Sequence, residues 1–565
     1  MVCFANFADM KRIVTIIVAA AMWGAAHSQT TTFGWGTTNE RYAREACPQG
    51  LTTKTLKLKA WRGERLNAQA VVWNDGGTEA AVSVSANGLK CGKAVIADSL
   101  VSAHVVGYVW TDELNKDRRG GCSARPVKSE WDSSLVADII SNDTRVCVPA
   151  RQAQPIWLKI AIPQDAKPGI YRGTLAMESD KARKQTLAYE VEVSERTLPS
   201  PGEWKFYLDL WQNPYAVARY YGTPLWSKEH FDAMRPIMKM LASIGQKSIT
   251  ASIMHKPWNG QTYDPYDSMI GRTRRIDGTW TYDYTVFDRW VEFMMNEVGI
   301  GDMISCYTMI PWALSFDYYD QATSRVQFVK AAPGEQAYTD YWLPFLRDFA
   351  KHLKAKGWFE RTAISMDERA MEQMREAIKV IRMADKDFKI TLAGGYHPEI
   401  IDDLHFLSIA YGQRFPDDVK ARREAEGKIS NVYTCCAEAF PNSFTFSAPA
   451  ESAWTVLHAL AGGYDGWLRW AVMSWTAEPL KDSRFWSWAA GDTYSIYPGP
   501  CSSIRFERLR EGLQDCEKIR VLRKELKGKK MEAIEETLSH FTQEYMNTKK
   551  QSASEMVDEL HKLLN

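Results

Sequence analysis

The 565-residue sequence has no apolar run of the roughly 20 residues that a membrane-spanning helix needs. It has no charge excess either: 70 Lys and Arg residues face 69 Asp and Glu residues, which argues against a general attraction to nucleic acid or anionic lipid. Low-complexity tracts and internal repeats are also missing. The composition is that of a globular protein, and the length predicts two or three domains.

Signatures of cofactor chemistry are missing as well. The histidines at 255, 397, 405 and 458 do not show the spacing of metal ligands, and the cysteines fit no zinc pattern. There is no Gly-x-Gly-x-x-Gly, no phosphate-binding loop and no Gly-x-Ser-x-Gly. The sequence therefore predicts neither a metal site nor an organic cofactor.

Aromatic residues, by contrast, are abundant. The 22 Trp, 24 Tyr and 21 Phe residues make up 12% of the chain, and six of the Trp residues lie between positions 454 and 488. Rings with a polar edge suit flat, half-apolar ligands such as sugars, although a packed core residue is the more common outcome at any one position. The composition therefore favours a carbohydrate as the ligand.

The N-terminus has the pattern of a secretory signal. Lys11 and Arg12 precede a short apolar run, 13–22, and small residues follow up to Ser28. We expect cleavage near Ser28, so that residues 1–28 are a signal peptide and the mature protein is exported, either to a periplasm or out of the cell.

Export permits disulfide bonds. Nine of the ten cysteines follow the cleavage region, so at least one is left without an intramolecular partner. We expect pairs among the four N-terminal ones, which are Cys47, Cys91, Cys122 and Cys147.

The region 29–200 is typical of a β-sandwich. Short runs rich in Val, Thr, Ala and aromatic residues alternate with turn clusters. The predicted strands include 55–61, 69–73, 81–85, 154–158, 170–175 and 188–193. A proline-rich hinge at 198–202 marks the strongest boundary in the chain.

Between residues 201 and 500, strands alternate with helices. The predicted strands are 205–211, 247–253, 303–310, 362–367, 388–393, 406–411, 431–436 and 466–473. The clearest helical patterns are 230–244, 341–356, 370–384 and 451–461. Eight strand-helix units predict a (β/α)8 barrel with its active site at the carboxyl ends of the strands.

Beyond Cys501 the sequence predicts charged amphipathic helices, such as 517–526, 531–545 and 554–564. We interpret residues 501–565 as a solvated helical cap on the barrel. The charged cluster in this region is expected to form an ion-pair network that clamps the C-terminal helices; it consists of Arg505, Glu507, Arg508 and Arg510.

The most informative segment is the predicted fourth barrel strand, which ends in Asp367 and Glu368. Acids at a helix N-terminus are the ordinary alternative, because the helix macrodipole favours them there. Neighbours on a strand point to opposite faces, so both carboxyls reach one ligand only if the strand breaks its alternation at or after Met366. With one acid ionised, we expect the other to be held protonated towards neutral pH, as a general acid requires.

Two further motifs accompany Asp367-Glu368: Tyr494-Ser495-Ile496-Tyr497-Pro498-Gly499 and Ser503-Ile504-Arg505-Phe506-Glu507-Arg508-Leu509-Arg510-Glu511-Gly512-Leu513-Gln514-Asp515. Together these segments resemble the catalytic region of glycoside hydrolase family 123. The resemblance implies an N-terminal β-sandwich, a (β/α)8 barrel and exo-acting β-N-acetylgalactosaminidase activity on a glycan with a terminal β-linked N-acetylgalactosamine.

The family resemblance also implies a retaining, substrate-assisted mechanism, in which the 2-acetamido oxygen of the sugar attacks the anomeric carbon. Glu368 would be the general acid/base, and Asp367 would polarise the acetamido N–H while an oxazoline-type intermediate forms. This division of labour agrees with the residues, because the sugar supplies the nucleophile and the protein needs only an acid/base and an orienting anion.

Two alternatives stay open. Glu438 follows the predicted seventh strand and is the candidate nucleophile of a double-displacement glycosidase, in which its carboxyl and that of Glu368 would lie about 5 to 5.5 Å apart. The other alternative is a non-catalytic carbohydrate-binding protein that uses the sandwich and a Trp-lined barrel mouth.

The remaining candidates for substrate binding lie at or near predicted strand ends, and for each a packed structural role competes. They are Tyr396, His397, Tyr411, Glu438, Trp467, Trp470, Trp475, Asp209 and Trp211. On the eighth strand, Trp467 and Trp475 share strand parity and Trp470 does not, so at least one of the three should pack outward.

Overall fold

The structure is a computed structural model that describes residues 31–112, 122, 133–485 and 488–565. The predicted signal peptide lies outside the described residues. Within the described part of the chain, none of the helices combines the length and the apolar character that crossing a membrane requires.

The N-terminal part is a sandwich of two sheets. Its strands are β1 (Thr31–Trp35), β2 (Leu56–Arg62), β3 (Arg65–Asn74), β4 (Ala80–Ala86), β5 (Leu89–Cys91), β6 (Ala94–Ile96), β7 (Val101–Thr111), β8 (Ser134–Ile140), β9 (Arg145–Val148), β10 (Gln152–Ala161), β11 (Gly169–Ser179) and β12 (Gln185–Thr197). Along β12, buried Leu187, Tyr189, Val191 and Val193 alternate with more exposed residues, as a strand with one face on the core requires. The predicted sandwich is confirmed.

The second part contains the remaining strands. They are β13 (Tyr207–Leu210), β14 (Ser248–Ser252), β15 (Gly271–Arg274), β16 (Trp280–Asp283), β17 (Met303–Tyr307), β18 (Ser315–Asp320), β19 (Arg325–Lys330), β20 (Thr362–Asp367), β21 (Lys389–Gly394), β22 (Phe406–Ala410), β23 (Ile429–Tyr433), β24 (Gly466–Arg469) and β25 (Ser502–Ser503).

In the sandwich, one sheet has the order β1-β3-β10-β7-β8-β25, and the other has the order β2-β12-β11-β4-β9 with β5 and β6 attached beside β11.

Eight parallel strands form a nearly closed barrel in the order β13-β24-β23-β22-β21-β20-β17-β14. The ends meet where the Lys247 N–H donates to the Leu208 carbonyl at 3.0 Å. All eight strands lie within a few residues of their predicted positions. They were recognisable because strands covered on both faces form near-continuous apolar runs.

The helices are α1 (Pro214–Tyr221), α2 (Lys228–Ala242), α3 (Thr285–Glu292), α4 (Gln336–Lys356), α5 (Met371–Ala384), α6 (Asp417–Ala425), α7 (Glu451–Ala461), α8 (Ile504–Glu525), α9 (Lys529–Ser539), α10 (Gln543–Lys549) and α11 (Ala553–Leu564). The four helices predicted in the barrel correspond to α2, α4, α5 and α7. A small sheet, ordered β16-β15-β18-β19, was not predicted; Phe316 of β18 packs against Tyr338 and Tyr341 of α4.

Helix α8 contradicts the expectation of a solvated cap, because most of its residues are buried. The predicted ion-pair network exists and joins this helix to the sandwich. Arg505 pairs with Asp138 of β8 at 2.9 Å, and Glu507 pairs with both Lys159 of β10 at 3.0 Å and Arg510 at 2.9 Å. The charges looked solvent-facing in the sequence because Asp138 and Lys159 lie more than 300 residues away from Arg505 and Glu507.

The expected pairing among the N-terminal cysteines is also wrong. Cys122 is bonded to Cys436, which is 314 residues away, whereas Cys47, Cys91 and Cys147 are free thiols. Cys122 belongs to the connection between β7 and β8 of the sandwich, and Cys436 follows β23 of the barrel. Only the packing of the sandwich on the barrel brings these two residues together, so spacing along the chain could not reveal the bond.

Candidate active site

A cavity of about 260 Å³ opens at the carboxyl ends of the barrel strands, where barrel enzymes carry their active sites. Its lining is dominated by aromatic residues and includes two carboxylates. The lining residues are Trp211, Trp258, Gln261, Trp312, Asp367, Glu368, Ala393, Tyr433, Leu468, Trp470, Trp488, Cys122, Cys435 and Cys436. Cys122 brings the sandwich to the wall of a cavity that is otherwise formed by the barrel.

Asp367 and Glu368 both face this cavity. Strand β20 ends at Asp367, after the fully buried Met366, and Glu368 belongs to the loop that follows. The side-chain alternation of the strand therefore stops between the two acids, which is the break that the sequence argument requires if both are to reach one ligand.

The Asp367 carboxylate is mostly buried and lies 2.9 Å from Nη1 of Arg369. Burial raises the pKa of Asp367 to about 6, against the opposing charge of Arg369. The adjacency of the two acids in the sequence predicts a raised pKa from their mutual repulsion. That explanation is wrong for Asp367, because the contribution of Glu368 is the smallest of the causes and burial is the largest.

Glu368 is exposed at the cavity mouth, and two contacts limit its movement. The Tyr433 hydroxyl at the end of β23 donates a hydrogen bond to its Oε1. Gly394 at the end of β21 leaves just enough room for its side chain, since a Cβ at this position would lie 3.1 Å from Glu368 Cγ. A neighbouring strand on one side and a tyrosine on the other thus hold the carboxylate in place.

Aromatic rings form the deeper walls of the cavity. Trp211 stacks on Trp258 with ring centroids 5.2 Å apart, and it contacts Tyr307 at 4.4 Å. At the end of the neighbouring strand β24, Trp470 meets Trp488 edge to face at 5.9 Å. These interlocking rings form a rigid and largely apolar pocket that suits the face of a sugar ring and its methyl substituent.

Two family models match this chain. The catalytic domain model of glycoside hydrolase 123 matches residues 211–522, which is more than half of the sequence, and the glycoside hydrolase 123 N-terminal domain model matches residues 35–179. The chain belongs to glycoside hydrolase family 123. The catalytic match includes most of helix α8, which is consistent with the burial of that helix.

Comparison with solved structures agrees. The chain is similar to a family 123 glycoside hydrolase from Clostridium perfringens, with 26% identity, a TM-score of 0.84 and coverage of 95% of this chain and 98% of that one. A candidate glycoside hydrolase from Bacteroides vulgatus reaches a TM-score of only 0.32 at 10% identity, over 82% of this chain and 78% of that one. Among curated proteins, no significant match is found.

The cavity of this family 123 enzyme is lined by two of the nine predicted substrate-binding residues. Trp211 and Trp470 line the cavity, and the Trp470 indole N–H donates to the Asp492 carboxylate at 2.9 Å. Trp467 lies on the outer face of β24 and contributes to a small void that Leu509 of α8 also lines. Trp475 is fully buried and donates to the Ile496 carbonyl at 2.7 Å.

Asp209 is not part of the cavity lining. It shares the inward face of β13 with Tyr207 and Trp211, and it is fully buried inside the barrel. Burial raises its pKa to about 7, and within the described residues neither carboxylate oxygen has a hydrogen-bond partner of good geometry. Its position is below the cavity floor, where a direct contact with substrate is not available.

The other four predicted binding residues lie outside the lining of the cavity, and three of them have structural partners. The Tyr396 N–H donates to Gln413 at 2.9 Å, and the Tyr411 ring packs on His458 at 5.0 Å. The Glu438 carboxylate accepts the backbone N–H of Cys435 at 2.7 Å. His397 is half-buried on the loop after β21.

Sequence reasoning missed several lining residues. Tyr433 ends a strand that was correctly predicted, so its position at a strand end was an available signal. Trp258 and Trp312 belong to the loops that follow β14 and β17, and aromatic residues in such loops are candidates on the same grounds. Cys122 and Trp488 gave no comparable signal, because their place at the cavity depends on long-range packing.

The contact at Gly394 leads to a testable prediction. The Gly394→Ala variant is expected to lower kcat by about 10-fold, because its Cβ would press on Glu368, the candidate general acid/base, and a displaced acid/base would lose rate steeply. Steady-state kinetics would measure the loss.

Gly395→Ala provides a matched control for this prediction. A Cβ there meets its nearest neighbour, His397, at an ordinary 3.5 Å, so this variant should keep nearly full activity. Equal losses in the two variants would mean that the loop after β21, rather than the contact with Glu368, determines the effect.

Proposed function

We propose that this family 123 enzyme is a retaining exo-glycosidase that removes terminal β-linked N-acetylgalactosamine by substrate-assisted catalysis through an oxazoline intermediate. The observation that carries the proposal is the pair Asp367 and Glu368. Asp367 ends strand β20, Glu368 follows it directly, and both face one aromatic cavity. Each acid has its own partner, Arg369 for Asp367 and Tyr433 for Glu368, and this difference supports two distinct roles.

Asp367 suits the role of the orienting anion. With a pKa of about 6 it is mostly ionised at neutral pH, and Arg369 holds one of its oxygens in place. An ionised carboxylate accepts the acetamido N–H, which aims the acetamido oxygen at the anomeric carbon and stabilises the positive charge of the intermediate.

Glu368 suits the role of the general acid and base. It lies at the open side of the cavity, where the leaving group departs and water arrives. In the first step its proton goes to the glycosidic oxygen as that bond to the anomeric carbon breaks. In the second step it takes a proton from the water that opens the oxazoline, which restores the acetamido group and releases the sugar.

The double-displacement alternative needs a second carboxylate at the anomeric carbon. Its candidate, Glu438, is directed to the backbone N–H of Cys435 in its own loop. The observed contact favours a structural role for Glu438, and the proposal therefore assigns the nucleophile to the substrate.

The size and chemistry of the cavity support action on chain ends. A volume of about 260 Å³ is small beside the roughly 300 to 1,000 Å³ typical of pockets for drug-sized ligands, and it fits a single substituted sugar. The related enzyme from Clostridium perfringens is described for glycolipid glycan hydrolysis. We extend this substrate class to the present chain as part of the proposal.

A thiazoline analogue of N-acetylgalactosamine tests the mechanism. It mimics the oxazoline and is expected to inhibit at concentrations at least about 10²-fold below KM, as analogues of high-energy states do. The matched gluco-configured thiazoline and a pair of aryl substrates would measure the galacto preference. Weak inhibition by both thiazolines, together with covalent labelling of Glu438 by a fluorosugar, would contradict the proposal and favour double displacement.

We further propose that the protein is exported. The support is the arrangement of Lys11, Arg12 and the apolar run 13–22 ahead of Ser28. A mature N-terminus near residue 29, read by N-terminal sequencing of the protein from its native source, is the expected result.

A further inference from the structure

One tryptophan of the cavity differs from the others in exposure. Trp211 and Trp258 are each 3% exposed, whereas Trp312 is 54% exposed although it lines the same cavity as Asp367 and Glu368. It lies five residues beyond the end of β17, and its backbone N–H contacts the Pro257 carbonyl at 3.4 Å. Trp312 therefore lies at the rim of the cavity, whereas Trp211 and Trp258 lie deeper inside it.

An exposed tryptophan alone is an ordinary surface feature. Trp312, however, is held in a fixed orientation by a buried partner. The guanidinium of Arg369 lies 4.0 Å from the centroid of its ring, a distance at which a cation and an aromatic face attract each other. The Arg369 side chain is itself only 5% exposed.

Arg369 also contacts both predicted catalytic residues. Its Nη1 lies 2.9 Å from the Asp367 carboxylate and donates to the Glu368 carbonyl at 2.5 Å. The same side chain thus sets the position of the acids and the orientation of the indole. In addition, Arg369 Nε and Nη2 are buried and have no hydrogen-bond partner of good geometry among the described residues, so the contact with the Trp312 ring is a main interaction of this part of the guanidinium.

The direction of the leaving group follows from these positions. If the terminal sugar occupies the deep aromatic part, its anomeric carbon faces Glu368, and the rest of the glycan has to leave past the rim. Trp312 is the exposed aromatic surface at that rim. The apolar face of a pyranose ring is the ligand that such an indole accepts.

We infer that Trp312 is the binding platform for the leaving-group sugar and that Arg369 is its positioning residue. The ligand is the hexopyranose directly preceding the terminal residue of the glycan, bound through its apolar face. This inference rests on the proposed function and adds to it a second sugar-binding position outside the one that holds N-acetylgalactosamine.

The test compares two substrates that differ only in the leaving group. N-acetyl-β-galactosaminyl fluoride has no leaving-group sugar, whereas a disaccharide with terminal β-linked N-acetylgalactosamine has one. Trp312→Ala is expected to lower kcat/KM for the disaccharide by about 10-fold, the loss expected when one aromatic stacking contact is removed, mainly through KM. The fluoride should be affected by less than about 3-fold.

Trp110→Ala is the matched control. Trp110 is 44% exposed and also lies beside an arginine, Arg484, at 5.8 Å, yet it belongs to the sandwich strand β7 and does not line the cavity. It should leave both substrates unaffected. Trp312→Phe retains an aromatic face and is expected to recover most of the disaccharide activity, which separates loss of the platform from a folding defect.

If Trp312→Ala lowered kcat/KM equally for the two substrates, the inference would be overturned, because the residue would then act on the whole site and not on the leaving-group sugar. Unchanged kinetics on the disaccharide would overturn it as well, because no leaving-group sugar would bind there. If the wild-type protein cleaved neither substrate, the proposed function itself would be wrong, an outcome that is visible before any variant is made.

Discussion

Replacing Glu368 by Gln is expected to lower kcat on a terminal β-N-acetylgalactosaminide by about 10²- to 10⁴-fold, the usual contribution of a positioned general acid or base. The amide keeps the shape of the side chain and its contact with Tyr433, but it has no proton to donate to the glycosidic oxygen and cannot accept one from water. Because Glu368 is exposed, the thermal unfolding midpoint should not change. Release of nitrophenol from the aryl glycoside, followed beside thermal unfolding, measures both effects.

Glu438→Gln is the control for this variant. Its carboxylate accepts the N–H of Cys435, so the variant should affect the loop after β23 and lower kcat far less than Glu368→Gln does. A loss as large as that of Glu368→Gln, with accumulation of a covalent intermediate on Glu438 in the Glu368→Gln variant, would assign the nucleophile to Glu438 and refute substrate assistance.

Replacing Asp367 by Asn is expected to lower kcat by about 10²- to 10³-fold, the loss found when one pre-organised stabiliser of developing charge is removed. The acetamido group would still bind, but a neutral amide cannot stabilise the positive charge on the forming oxazoline. KM should change much less than kcat. Steady-state kinetics on N-acetylated and N-trifluoroacetylated aryl substrates measure this loss. The trifluoroacetamido group is the weaker nucleophile, so it should lower the kcat of the wild type strongly and the kcat of the variant to a similar or smaller extent.

The pH dependence identifies the charge state involved. The pKa of Asp367 is raised to about 6 and the proposed mechanism uses its ionised form, so activity should fall as the pH decreases through about 6. In Asp367→Asn this acid limb should disappear from the residual activity. A wild-type profile that remains flat down to pH 4 would show that ionised Asp367 is not required.

Much of the site followed from one local pattern. The run 362–367 is apolar on both faces and ends in two acids, and such a run has few structural interpretations other than a buried parallel strand with its functional end exposed. For the same reason the eight barrel strands were recognisable from the sequence. Trp211 and Trp470 line the cavity from the ends of β13 and β24, whereas Asp209, at the adjacent inward-facing position on β13, is fully buried outside the lining.

Other features of the site could not be predicted because they join distant parts of the chain. Tyr433 meets Glu368 across two strands of the barrel, and Cys122 meets Cys436 across the boundary between sandwich and barrel. Helix α8 appeared solvated for a related reason. A helix with charges on every side is buried only when each charge finds a partner, and partners such as Asp138 lie in a different domain.

By itself the sequence determined the architecture, the strand that carries the acids and the family resemblance, because these depend on local periodicity and short motifs. Tertiary structure alone decided which tryptophans line the cavity, what raises the pKa of Asp367 and where the sandwich touches the barrel. The physical reason is that burial, pKa shifts and ring stacking depend on the full set of neighbours in space, and the chain brings those neighbours from positions hundreds of residues apart.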